Sequence, residues 1–268
     1  MKRSERAGIA RQTAGILEVG HYDAGGRRIS IAEDLRRARG GTVLHGPDEP
    51  TRVAFDPRPT RLEVALESTL AGARRLVGEG HDVAALVFAS ARNPGGGFLK
   101  GAHAQEESLA RSSGLHACLV GSPFYEANRA DPRDGLYQHH LLHSPGVPVF
   151  RDDEGALLPV PWRVAFLTSP AVNAGVYRER HPDGDEAIRR TMAERTDSVL
   201  AAAVRHRHDG LVLGAWGCGV FRNRPPEIAG VFREALEGKY RGAFSRVSFS
   251  ILGDEAFEAF RAAFPEAR

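Results

Sequence analysis

The sequence predicts an α/β sandwich built on a mixed sheet, and three observations carry that expectation. The second half alternates short apolar runs with long helical segments, the pattern of strands covered by helices. A hairpin and the alternating strands of the first half make the sheet mixed rather than purely parallel. Hydrophobic residues are 42% and charged residues 26% of a 268-residue chain, the balance of an ordinary soluble globular protein the size of one large domain with or without an added segment.

In chain order, Ser4 to Val19 has helical spacing, with Ile9, Ile16 and Leu17 apolar and Gly20 as a stop. Arg28–Ala32 and Thr42–His45 read as short strands, with Leu35 to Arg39 between them. His45 to Arg61 holds four prolines and reads as loop. Arg61 to Glu67 (RLEVALE) largely alternates apolar and polar, the period of a half-buried strand. Ser68 or Thr69 caps a helix to about Gly78. Val83–Ala89 (VAALVFA) is a buried strand. The segment from Glu107 to about Val120 is helical in part, weakened by Ser112, Ser113 and Gly114. Gly121 to Pro132 reads as loop and Leu136 to Leu142 as a helical turn. Val147–Arg151 and Leu157–Pro161 flank Asp152–Gly155 as a hairpin. Arg163–Thr168 is a further buried strand, and a long helix runs from about Asp183 to Arg207. Leu211–Ala215 is a strand, Pro226 opens a helix as its first residue, Arg246–Leu252 is a strand, and Asp254 caps a last helix.

Several function classes are excluded or disfavoured. Net charge is +2, so no global field draws the chain to nucleic acid. No apolar run approaches the ~20 residues of a membrane span. MKRSERAGIARQ contains no apolar stretch suited to a signal peptide, so the expected location is the cytoplasm. Two cysteines, Cys118 and Cys218, make neither a disulfide framework nor a four-cysteine zinc site. Both read as packing thiols. His139, His140 and His143 lack a zinc motif and read as a surface cluster.

Chemistry concentrates at strand ends, because ligands in α/β sheets bind beyond the carboxyl ends of strands. Three such loops begin at Asn93, Ser169 and Trp216. The first, NPGGGFLKGAHAQEE, runs from Asn93 to Glu107. Pro94 cannot extend a central strand. Gly95, Gly96 and Gly97 let backbone lie directly against a ligand, and successive N–H groups in such a loop can converge on an anion. Gln105, Glu106 and Glu107 follow after seven residues, where a helix start favours acids. The third loop repeats the theme with Gly217, Cys218, Gly219, Val220 and Phe221. Neither loop has the phosphate-loop or dinucleotide spacing. Taken singly, the three glycines read equally as a tight turn, Glu107 as a partner of Arg111 one helical turn on, and Phe221 as core.

Together, Gly95–Gly97, the seven-residue spacer and the Gln105–Glu106–Glu107 triplet resemble the signature of the poly(ADP-ribose) glycohydrolases, most closely the compact bacterial type. Gly217 to Phe221 is similar to that family's second, diphosphate-binding loop. The resemblance covers the chain from Arg61 onward. It implies a macrodomain-like three-layer α/β/α sandwich with a mixed central sheet: a catalytic domain over 61–268 and an N-terminal helical extension over 1–60 packed on the core.

The resemblance further implies hydrolysis of the ribose–ribose bond of poly(ADP-ribose) through an oxocarbenium-like state, with Glu107 as general acid and then base. Glu106 then serves a ribose hydroxyl, since neighbouring helical residues project about 100° apart. Gln105 supports it, and Asn93 meets the distal ribose. The backbones of Gly95–Gly97 and of Gly217, Cys218, Gly219 and Val220 hold the diphosphate, and Phe221 packs on a ribose. Ser169, Pro170 and Ala171 line the adenine side, and Arg222 and Arg224 meet polymer phosphates. The implied partners are poly(ADP-ribose) or ADP-ribosylated protein, with ADP-ribose as product, no nucleic acid and no membrane. A monomer with neither metal nor cofactor is expected, reversing ADP-ribosylation in the DNA damage response. Two alternatives share the cradle: a reader that binds ADP-ribose without cleaving it, which has no need of two glutamates, and a hydrolase acting on single ADP-ribose units attached to protein.

Overall fold

The structure of the protein, a computed structural model, describes residues 1–131 and 133–267. The chain opens with helix α1 (Arg3–Val19), closed by Gly20 at φ 73°. A two-stranded ribbon follows, β1 (His21–Ala24) and β2 (Arg27–Ser30), then α2 (Ala32–Gly40). Seven strands form the main sheet: β3 (Val43–His45), β4 (Arg61–Ala65), β5 (Val83–Phe88), β6 (Leu141–Arg151), β7 (Leu157–Ser169), β8 (Gly210–Leu213) and β9 (Arg246–Ser250). Their order is β3-β6-β7-β5-β8-β9-β4. From β7 to β4 every pairing is parallel, whereas β6 runs antiparallel to both β3 and β7. The sheet is therefore mixed, and its edge strand β3 comes from the first sixty residues.

The remaining helices are α3 (Thr69–Gly78), α4 (Gln105–Ser112), α5 (Leu115–Leu119), α6 (Pro123–Ala130), α7 (Ala174–Arg180), α8 (Asp185–Arg205), α9 (Pro225–Glu237) and α10 (Asp254–Ala263). Strand side chains alternate between faces, and the two cores divide accordingly. Ala84 and Leu86 of β5 pack with α8, α9 and α10, through Leu200, Phe232 and Phe260 among others. Val83, Ala85 and Val87 pack with α3 to α6, through Leu76, Leu109, Leu119 and Phe124. The result is three layers. A small cluster of Ala10, Phe98 and Ala110 seats α1 on the glycine loop after β5. Among the described residues no helix is long and apolar enough to cross a membrane.

Several expectations are corrected. The loop expected from Gly121 to Pro132 contains α6, opened by Ser122, whose Oγ accepts from the Phe124 N–H, and by Pro123 in its first turn; Pro132 itself lies outside the described residues. The helical turn expected over Leu136–Leu142 gives way to β6, because Leu141–His143 pair with β3 and Leu142 and His143 also with β7. The two strands expected at Leu157–Pro161 and Arg163–Thr168 are one, β7. Pro159 and Pro161 fit there because β5 joins β7 only from Ala165 onward. Arg28–Ala32 was expected as a strand and is β2, shifted by one to two residues, but its partner β1, the turn on Gly25 and Gly26 at positive φ, and α7, capped by Asn173, were not anticipated. Pro225, not Pro226, is the first residue of α9, and α10 begins at Asp254 itself, after Gly253. His143 is no surface residue. It is buried on β6, with Nε2 2.9 Å from His208 Nε2 and its ring stacked on His206 at 3.6 Å.

Candidate active site

β7, β5 and β8 are neighbours, so the three loops singled out in the sequence leave the same edge side by side. Hydrogen bonds tie them together. The Ala89 N–H and the Trp216 indole N–H both donate to the Ser169 carbonyl, at 3.2 Å each. The Asn223 amide donates to the Val172 carbonyl at 2.7 Å and to the Gly217 carbonyl at 3.1 Å. Gly217, at φ 74°, lies so close to Ala171 and Asn223 that a Cβ would overlap both.

The first glycine loop is built around the acids. The Ser90 hydroxyl accepts from the N–H groups of Arg92 at 3.2 Å and Asn93 at 3.1 Å, which starts the turn. The Gly96 N–H returns to the Asn93 carbonyl at 3.0 Å. Glu107 Oε1 accepts from the Gly97 N–H at 3.0 Å, and Oε2 from the Ala104 N–H at 2.9 Å, the return half of a helix capping box. Gly96, at φ 60°, has its missing Cβ where the Glu107 carboxylate lies, so no other residue fits. Glu106 is buried, and its Oε2 accepts from the Ser90 N–H at 2.7 Å. Its Oε1 is buried with no hydrogen-bond partner among the described residues. Burial pushes the Glu106 carboxyl well above the ordinary carboxylate range; the Ser90 N–H opposes this and the neighbouring Glu107 charge adds to it.

Gln105 belongs to the scaffold. Its Oε1 accepts from the Phe88 N–H at 2.9 Å, and its Nε2 donates to the Leu86 carbonyl at 2.7 Å and to Thr69 Oγ1 at 3.1 Å. The side-chain amide stands beside β5 like a peptide of an added strand and fixes where α4 begins.

The second glycine loop has the opposite electrical character. The Asn223 N–H closes back on the Gly217 carbonyl at 3.1 Å, and Arg222 on Gly219 at 3.0 Å. The N–H groups of Gly219, Val220 and Phe221 find no acceptor among the described residues. Val220 is 84% exposed, and the Phe221 ring lies 6.1 Å from that of Tyr137. Burial pushes the Cys218 thiol up to about 12, in keeping with the packing role expected of it. Arg224 is occupied by Asp185 at 2.9 Å and Glu227 at 2.8 Å, while Arg222 is 3.9 Å from Glu179.

Asn93 is exposed at the mouth of the first loop, and Ser169 and Ala171 are buried between it and the second. The structure thus brings every predicted site residue to one edge of the sheet. Sequence reasoning missed Ser90, Ala104 and Asn223, which hold the loops. Of these only Ser90 left a trace, a serine three residues before an asparagine at a strand end, the pattern of a side-chain-capped turn.

The fold and site define an α/β protein with two acids and an anion-ready loop at one strand-end crevice. Comparison with known proteins places it more closely. Residues 10–152 match the family model described as microbial-type PARG, catalytic domain. The chain is similar to poly(ADP-ribose) glycohydrolase (PARG) from Thermomonospora curvata, at 49% identity and a TM-score of 0.91, over 97% of this chain and 100% of that one. A structure of the same enzyme bound to the inhibitor ADP-HPD aligns at 48% identity and a TM-score of 0.88, again over 97% and 100%. PARG from Deinococcus radiodurans in complex with ADP-ribose aligns at 43% identity and a TM-score of 0.78, over 87% of this chain and 97% of that one. No curated protein matches. The chain belongs to the microbial-type PARG catalytic-domain family, and its sandwich is the macrodomain-like one expected.

Proposed function

We propose that the chain hydrolyses the ribose–ribose glycosidic bond of poly(ADP-ribose) and releases ADP-ribose, with Glu107 as the acid and base. The observation that carries this reading is the pairing of the two glutamates. Glu107 is held by two backbone N–H groups over a glycine that leaves it room, while Glu106 keeps a buried oxygen with no partner among the described residues. In the reaction, the Glu107 carboxyl gives its proton to the leaving oxygen as the glycosidic C–O bond breaks. Water then attacks the oxocarbenium carbon, and its proton returns to Glu107. Glu106 Oε1 accepts from a ribose hydroxyl and holds the sugar for attack.

The unengaged N–H groups of Gly219 and Val220 suit the diphosphate, with Cys218 and Gly217 shaping the turn beneath it. Gly95, Gly96 and Gly97 allow close approach on the other side. Phe221 packs on a ribose, Asn93 meets the distal ribose, and Ser169, Pro170 and Ala171 line the adenine side. Gln105 acts as a positioning residue through β5. Residues 61–268 form the catalytic domain, and residues 1–60 brace its first loop through α1. The protein works as a monomer in the cytoplasm, without metal or direct nucleic-acid binding, and reverses ADP-ribosylation in the response to DNA damage. The reading is tested by release of ADP-ribose from automodified poly(ADP-ribosyl)ated protein in the presence of a chelator. Rapid release is expected; tight ADP-ribose binding without release points instead to a reader.

A further inference from the structure

The exposed cations of this chain are not treated alike. Around the second loop most are paired with acids: Arg178 with Asp185 at 2.7 Å, Arg224 with Asp185 and Glu227, Arg189 with Glu234 at 2.7 Å, while Arg222 is held more loosely, 3.9 Å from Glu179. Around the first loop they are not. Arg3 donates from Nε to the Lys100 carbonyl at 3.0 Å, and Arg6 from Nε to the Gly101 carbonyl at 2.9 Å. On the other flank Arg129 donates to the Arg92 carbonyl at 2.7 Å. These bonds hold the side chains in place without cancelling a charge. Lys2, Arg3, Arg6, Lys100, Arg92 and Arg129 have no carboxylate at ion-pair distance among the described residues, and all but Arg6 are exposed. The first flank lies beside the catalytic acid. His103, hydrogen-bonded through Nδ1 to Arg111 at 3.1 Å, is pushed down by burial first and then by the charges of Arg111 and Arg6, against the pull of Glu107.

We propose that these six residues form a cationic rim that holds the phosphates of the polymer unit beyond the bond being cut. This rests on the hydrolase reading above. Each repeat of poly(ADP-ribose) carries a diphosphate. The unit seated in the crevice places its own on the second loop, and the leaving unit emerges past Glu107, where the unpaired charges are. A polyanion neutralised there releases counterions, so polymer affinity falls with salt while affinity for ADP-ribose, held inside, falls much less. Charges left unpaired on two sides of one loop also attract the polymer from a distance.

The test uses Lys2→Ser, Arg92→Ser and Lys100→Ser together, since none of these side chains makes an anchoring bond. Binding of long poly(ADP-ribose) is measured in a Glu107→Gln background, where the chain is not consumed, beside binding of free ADP-ribose. The triple variant is expected to bind polymer about tenfold more weakly in low salt, with a shallower salt dependence. Its affinity for ADP-ribose should stay within about twofold, because the rim lies outside the crevice. Unchanged polymer affinity and salt slope overturn the rim. So does an equal loss for ADP-ribose, which places the effect in the crevice, and so does equal competition by single-stranded DNA of matched charge, which makes the surface a general polyanion site. Hydrolysis by the wild type is followed separately: a rim-dependent complex that is never cleaved sinks the hydrolase reading and leaves the rim standing.

Discussion

The two glycine loops are alike in composition and opposite in what their backbones do. In the first, the N–H groups of Gly96 and Gly97 are consumed, by the Asn93 carbonyl and by Glu107. In the second, those of Gly219, Val220 and Phe221 have no acceptor among the described residues. Glycine serves different ends in the two places. Gly96 makes room for a carboxylate of the protein itself, and Gly217 makes room for Ala171 and Asn223 so that the loop can curl. A glycine-rich loop is therefore an anion site only where the donors are left over.

The comparison is broken most severely at Gly96. Gly96→Ala puts a Cβ where the Glu107 carboxylate lies, at a φ that alanine resists. Displacing the acid by even an ångström should lower kcat on poly(ADP-ribose) about 10²-fold or more, with ADP-ribose affinity little changed in a titration. The mirror experiment is Gly219→Pro, which deletes one open donor at a position where nothing lies within 4 Å of a new Cβ. A charge-assisted bond is worth about 1.5–3 kcal/mol, so ADP-ribose affinity should fall tenfold or more by calorimetry. If either variant produces the other's phenotype, the division of labour is wrong.

Smaller effects sharpen the picture. Gln105→Leu leaves the Phe88 N–H and Leu86 carbonyl beside β5 without this partner. Unfolding in denaturant should register a loss of about 2–3 kcal/mol, whereas a residue serving only the substrate would alter KM and leave stability alone. Glu106 gives the smallest change and a pH signature. Burial raises its folded pKa above that of the unfolded chain, whose ordinary value is 4.5. Its contribution to stability is thus fully present below that value and is lost as pH rises through the folded pKa. Glu106→Gln carries no charge at any pH. It should raise Tm by a few degrees at neutral pH, with the gain fading in acid, even as turnover drops. A Tm gain that is constant across pH contradicts the burial argument.

Much of this was legible in the residues. The glycine triplet, its spacing to Glu107 and the three strand ends mark out the crevice, because turns and buried strands are local features. What the donors were doing was not legible. Gly97 and Gly219 look the same in a sequence, and only the fold decides that Glu107 curls back onto one of them. Gln105 read as a support for Glu106 at the substrate because a lone amide carries no sign that β5 will need it. α6 and the start of β6 were missed for a related reason. The first has its signals, Ser122 and Pro123, embedded among turn-forming residues, and the second depends on pairing with β3, nearly a hundred residues earlier. The cationic rim depends on which arginines find acids, and that too is decided by tertiary neighbours.

The most direct test of the account is Glu107→Gln, measured for ADP-ribose binding and for ADP-ribose release from poly(ADP-ribose) on one preparation. With the diphosphate proposed to sit on the second loop and the proton on Glu107, binding should match the wild type while release falls at least 10³-fold. Normal release with normal binding contradicts the assignment of the acid, and lost binding contradicts the separation of the two loops.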